Sequence, residues 1–186
     1  MPTFEDLLES LKKSAAILRD SEIPFALGGG LAVWARGGPE NDHDLDFMLK
    51  PKDAERALEA LGDAGLRIER PPEDWLFKAC DGAVLIDLIF RPASGEVDDD
   101  MLNRADLLEV TATQMRVLSL DDVIVTKLLA LNATHLDYKG VLELARSVRE
   151  QIDWDGVREQ TKHSPYARAF FTLVEELGVL GSSSLG

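Results

Sequence analysis

The spacing of hydrophobic positions changes along this chain, and each change marks an element. Between residues 4 and 19, Phe4, Leu7, Leu8, Leu11, Ala15 and Leu18 recur at intervals of three and four, the pattern of an amphipathic helix. Thr3 is placed to cap it, with Asp6 in its first turn. Residues 21–24 break the pattern and residues 25–27 read as a first strand. Three glycines follow, then an apolar-rich helical segment at 31–36 that Gly37-Gly38-Pro39 stops. The polar run Glu40-Asn41-Asp42-His43 leads into a strand over 43–49. Lys50-Pro51-Lys52-Asp53 then opens a helix to about residue 64, with Ala54, Ala57, Leu58 and Leu61 on one face and Gly65 as its stop.

Residues 66–69 read as a short strand. Two further strands, 75–80 and 83–90, flank Asp81-Gly82, a two-residue hairpin signal. The second arm, AVLIDLIF, is almost wholly apolar, as a central strand covered on both faces would be. Asp98-Asp99-Asp100 reads as a solvated loop or a helix start, and residues 107–111 and 115–118 as short edge strands. Ser119-Leu120-Asp121-Asp122 caps a helix to about residue 132, and further helices are predicted near 137–151, 154–162 and 165–178. The expected fold is α/β (α+β): a mixed sheet with flanking helices in residues 1–118, a C-terminal helical subdomain in 119–180, and a flexible tail at 181–186.

Composition narrows the classes. At 186 residues, with 45% hydrophobic and 29% charged, the chain can bury a proper core and reads as a soluble globular protein. No apolar stretch reaches the roughly 20 residues a membrane helix needs, and MPTFEDLLESLKK lacks the order of a signal peptide, so the cytoplasm is the expected address. The single cysteine, Cys80, has no partner for a disulfide or a zinc site and is read as structural. Twenty basic against 34 acidic residues leave a formal charge of −14, which disfavours nucleic acid as a partner and suits a cationic small molecule or a protein better.

Candidate chemistry concentrates in FALGGGLAVWARGGPENDHDLDFML, residues 25–49. A glycine turn between strand and helix lets the backbone approach a ligand, and the helix start points N–H groups at it, a place that would suit a triphosphate. Residues two apart in a strand share a face, so Asp44 and Asp46 project together while Leu45 and Phe47 turn to the core. Side-by-side carboxylates repel unless a cation sits between them, and hard oxygen ligands suit Mg²⁺. Asp87 is the only ionisable residue of its apolar strand. One account is a buried aspartate satisfied by backbone amides or by Arg91. The other places it across an antiparallel ladder from Asp44 and Asp46, where three carboxylates can hold two divalent ions and Asp87 can take an acceptor's proton.

A glycine pair, Gly29-Gly30, then 13 residues, then Asp44-Leu45-Asp46 and a later Asp87 in an apolar strand, resembles the DNA polymerase β-like nucleotidyltransferase superfamily. Within it, GGGLAVWARGGPENDHDLDF is similar to the matching stretch of small bacterial aminoglycoside and lincosamide nucleotidyltransferases and of nucleotidyltransferase-type toxins. The resemblance implies that Gly29 and Gly30 hold the triphosphate, that Asp44 and Asp46 bind both metals, and that Asp87 binds the catalytic metal and serves as base. It also implies that Lys127, otherwise a snorkelling lysine among Val123, Ile124, Leu128 and Leu131, reaches the nucleotide phosphates. The chain departs from the family in having Gly30 where serine is common, which leaves the phosphate to backbone contacts.

The expected activity is Mg²⁺-dependent transfer of a nucleoside monophosphate from an NTP, ATP among them, to a hydroxyl of a small-molecule, protein or tRNA acceptor, with release of pyrophosphate. The rival expectation is a nucleotide-binding or antitoxin-like interaction protein that keeps the fold without turnover. His43 is read as a loop residue or a carboxylate orienter, Asp137 and Tyr138 as acceptor contacts, and Trp75 and Lys78 as residues beside the acids, packed or lining the cleft.

Overall fold

The computed structural model describes residues 2–40 and 44–180. His43, the first residue of the predicted strand over 43–49, and the predicted tail at 181–186 lie outside the described residues. Helix α1 (Phe4–Asp20) forms where its apolar spacing puts it. Its capping box is complete: Thr3 Oγ1 accepts from the Asp6 N–H at 3.2 Å, and the Asp6 carboxylate accepts from the Thr3 N–H at 2.7 Å. The buried stripe Leu7, Leu11, Ala15 and Leu18 packs toward α3 (Pro51–Asp63), β2 (Asp44–Leu49) and β5 (Val84–Ile89). Helix α3 starts on Pro51, buries Ala54, Ala57, Leu58 and Leu61, and the chain turns away at Gly65 with φ +91°.

The other strands are β1 (Phe25–Leu27), β3 (Arg67–Glu69), β4 (Leu76–Asp81), β6 (Asp106–Val110) and β7 (Thr113–Val117). All seven join one mixed sheet in the order β3-β4-β5-β2-β1-β7-β6. Strand β2 runs antiparallel to β1 and parallel to β5, β1 is parallel to β7, and the remaining pairs are antiparallel. Four expectations are corrected here. The neighbour that carries Asp87 is parallel to β2, not antiparallel. The hairpin closes on Asp81 and Val84, so its two loop residues are Gly82 and Ala83, one step later than Asp81-Gly82. Gly82 takes φ +61° at the first loop position, where the twist of the flanking strands needs it. Strand β7 is internal, between β1 and β6, and only β6 is an edge on that side.

The fourth correction concerns the helix after the glycines. Helix α2 spans Gly29–Trp34 and begins inside the glycine run, with Gly28 as its extended N-cap residue. Low helix propensity had hidden that start. Just beyond its end, Arg36 donates from Nε to the Leu118 carbonyl at 2.8 Å, and from its guanidinium to the Val117 carbonyl and the Asp106 carboxylate, both at 2.9 Å. This clamp ties α2, and with it the glycine turn, to the end of β7.

Helix α4 (Asp99–Arg104) starts on Asp98, whose carboxylate accepts from the Met101 N–H at 2.8 Å, so the acidic run is a helix start. After β7 the chain is helical: α5 (Leu120–Ala130), α6 (Tyr138–Val148), α7 (Trp154–Thr161) and α8 (Pro165–Glu176). Helix α5 is the hub, packing on α2, α6, α7 and α8. Among the described residues no helix is long and apolar enough to cross a membrane. On the core face of β2, Phe47 is fully buried and meets Phe25 edge to face, with ring centroids 5.2 Å apart. Phe47→Ala is expected to lower stability by about 3–5 kcal/mol through lost burial and the cavity left behind, read from the midpoint of urea denaturation.

Candidate active site

The site is built on the two faces of β2. Leu45 and Phe47 are fully buried against the core, while Asp44 and Asp46, alternating with them, are half-buried on the other face. Register with β5 sets Asp87 directly beside Asp46. One oxygen from each of Asp44, Asp46 and Asp87 lies within 4.8 Å of the others. The three carboxylates expected to converge do so, through a parallel ladder.

The glycine turn meets this cluster from β1. The Gly28 N–H donates to the Asp46 carbonyl at 2.8 Å, extending the β1–β2 pairing by one residue. Gly29 has φ +55°, and a Cβ placed on it would sit 1.7 Å from Asp46 Oδ2. Glycine is therefore required at 29 both for the left-handed backbone and for room beside the carboxylate. Gly30 lines the cleft next to the cluster.

Electrostatics make the cluster uncomfortable by itself. Burial, then the neighbouring charges of Asp44 and Asp87, push Asp46 from the ordinary 3.8 up to about 7, against the opposing pull of Lys127 and Lys78. Asp87 is also raised, chiefly by burial, with Lys78 holding it down. Lys78 stands opposite Asp87 across the β4–β5 ladder, and its Nζ donates to Asp87 Oδ1 at 2.9 Å. Three hard oxygen donors crowded with like charge fit a divalent cation of the Mg²⁺ kind.

A cleft of about 810 Å³ opens over Asp44 and Asp46. Val33, Pro39 and Glu40 border it on the α2 side, and Lys127, His135, Asp137, Lys139, Gly140, Glu143 and Leu144 wall it from α5, α6 and the loop between them. Lys127 thus lines the same cleft as Asp44 and Asp46, and Asp137 lines it while capping α6 through the Gly140 N–H. Tyr138 turns elsewhere: its hydroxyl donates to the Tyr166 carbonyl at 3.0 Å and its ring stacks near Phe170. Trp75 is 41% exposed ahead of β4 and is not part of the cleft wall. Arg91, the alternative partner for Asp87, pairs with Glu96 instead.

The sequence sets Lys78 on a strand beside the acids but does not mark its pairing. A hairpin loop at Asp81-Gly82 would have set Leu76 opposite Asp87, and the one-residue shift in the loop brings Lys78 there. His135 was missed because the polar run between α5 and α6 carries no periodic signal, and Lys139 and Glu143 because nothing in the sequence of α6 marks which of its polar positions meets the site. Their place in the cleft depends on how the helices dock.

A family model described as uncharacterised nucleotidyltransferase matches residues 16–175. The chain belongs to that family and is a nucleotidyltransferase. No curated protein sequence matches it. Its fold is similar to the crystal structure of ANT(2'')-Ia in complex with adenylyl-2''-tobramycin, with a TM-score of 0.62, 16% identity, and coverage of 89% of this chain and 97% of that one. The solution structure of the antibiotic-resistance factor ANT(2'')-Ia gives a TM-score of 0.64 at 16% identity, covering 95% and 98%. The lincosamide antibiotic adenylyltransferase LnuA, bound to lincomycin, gives 0.53 at 14% identity, covering 73% and 94%. At such identities these likenesses speak for the fold alone.

Two outcomes follow from the geometry. The proton that folded Asp46 retains stabilises the protein fully below pH 3.8, and that contribution is lost as pH rises toward about 7. In EDTA, Asp46→Asn is therefore expected to melt with the parent near pH 4 and progressively above it toward pH 7.5, as thermal scans across that range would reveal. Gly29→Ala is expected to cost about 1–3 kcal/mol from backbone strain, plus a steric part. In an Asp46→Ala background the clash with the carboxylate is removed and only the Cβ contact at 3.1 Å is left, so most of the steric part is lost, which a double-mutant cycle of urea midpoints measures.

Proposed function

We propose that this nucleotidyltransferase moves a nucleoside monophosphate from an NTP, ATP first among the candidates, onto a hydroxyl of a small acceptor and releases pyrophosphate. The observation that carries the reading is the convergence of Asp44, Asp46 and Asp87, the first two of them on the wall of a cleft whose other wall is helical. In this reading residues 1–118 form the nucleotide-transfer part, and residues 119–180 are a helical subdomain that closes the cleft.

Asp44, Asp46 and Asp87 are the residues that hold the divalent metal, with Mg²⁺ the expected ion. A divalent ion held there supplies charge neutralisation for the leaving pyrophosphate and lowers the pKa of the attacking hydroxyl. The backbone at Gly29 and Gly30 approaches the triphosphate, and Lys127 reaches its oxygens from α5. The acceptor oxygen forms a bond to the α-phosphorus as the bond to the pyrophosphate oxygen breaks, and the hydroxyl proton passes to Asp87.

A cationic, hydroxyl-bearing small molecule is the acceptor class we favour over a protein side chain or a tRNA end. Glu40, Asp137 and Glu143 border the cleft, and the whole chain carries −14. The similar folds named above bear an adenylylated aminoglycoside in one case and a lincosamide in the other. A cytoplasmic address, where NTP and Mg²⁺ are at hand, goes with this reading.

The test is pyrophosphate release from ATP and Mg²⁺ with a panel of aminohydroxy acceptors. Asp87→Asn is expected to keep most ATP binding by calorimetry and to lose turnover by about 10²–10⁴-fold or more. A variant with parental turnover would remove Asp87 from the chemistry.

A further inference from the structure

Lys78 is a cation in direct contact with the acid cluster that the activity proposed above does not use. It arrives there by sheet geometry: β4 and β5 pair Lys78 with Asp87, and β5 and β2 pair Asp87 with Asp46, so one row of side chains reads lysine, carboxylate, carboxylate across three strands. A lysine–carboxylate pair on an open surface contributes little. This one is different, because Asp87 is only 8% exposed and the Lys78 side chain 28%. The ammonium takes Oδ1 of Asp87 at 2.9 Å, and its charge is felt as far as Asp46.

We infer that Lys78 is a built-in cation of the acid cluster that competes with divalent metal, holding the site's metal affinity down while fixing the orientation of Asp87. This rests on the reading of the three aspartates as metal ligands. A positive charge in contact with one of three ligands repels any further cation brought to the cluster, at a separation where a half-buried site screens poorly. The same ammonium withdraws one carboxylate oxygen from the ligand set, so a metal that wants both oxygens of Asp87 has to displace it. Lys78 is therefore a positioning residue, acting through Asp87. The neighbouring pair Lys13–Asp81 offers a control, since it bridges α1 to the end of the same hairpin, with Lys13 47% exposed and Asp81 outside the cluster.

The experiment is Mn²⁺ titration of the metal-free full chain, with free ion followed by electron paramagnetic resonance. Lys78→Met is expected to bind Mn²⁺ about tenfold more tightly than the parent, and Lys78→Arg to stay within about twofold of it. Lys78→Gln, which keeps a donor for Asp87 without the charge, is expected to follow Lys78→Met and serves if the methionine variant fails to fold. Lys13→Met is expected to bind as the parent does. Parental affinity in both neutral Lys78 variants, or equal tightening in Lys78→Arg or Lys13→Met, would overturn the role of Lys78 while leaving the metal site standing, provided Asp46→Asn abolishes binding. A parent that binds no Mn²⁺ would instead overturn the metal reading and this inference with it.

Discussion

Two parallel strands set Asp46 directly opposite Asp87, and Asp44 follows one pleat along, so the sheet itself brings three carboxylates to a place where burial weakens the screening of their repulsion. The surrounding structure answers that repulsion in several ways. Phe47 and Leu45 lock β2 from the core side, so the acids cannot turn inward without exposing apolar surface. Lys78 approaches from β4 and Lys127 from α5, each drawing Asp46 back toward its charged form. The glycine turn, held by the Arg36 clamp, leaves room for the Asp46 carboxylate where any other residue would collide with it. Fold and site are in this sense one construction: the elements that bury the core also hold the charges together.

Much of this is legible in the chain itself. The spacing of three and four in α1, the Thr3–Asp6 cap, the Asp44-Leu45-Asp46 alternation and the capped helix at Ser119 are local signals, and local hydrogen bonding and burial satisfy them as written. What was not legible depended on partners distant in sequence. Parallel pairing of β2 with β5 follows from the crossover through α3 and the β3–β4 strands, and nothing in AVLIDLIF distinguishes a parallel neighbour from an antiparallel one. The loop at Gly82-Ala83 was off by a single residue, because Asp81-Gly82 and a glycine-first turn are both good two-residue hairpins. That small error concealed the Lys78–Asp87 pair. The glycines at the head of α2 were read only as ligand contacts, whereas Gly29 also serves Asp46.

The two walls of the cleft are built under different rules. One consists of adjacent strands in which every position is fixed by ladder register, by buried neighbours or by a missing Cβ. The other includes exposed positions on α6 and the loop before it, His135, Lys139 and Glu143, which contribute nothing to the core. Substitutions at those three exposed positions are thus nearly free of structural consequence, and substitutions on the sheet wall are not. A lineage carrying this fold can explore new acceptors by changing α6 alone, keeping its phosphate chemistry intact while the range of molecules it modifies drifts.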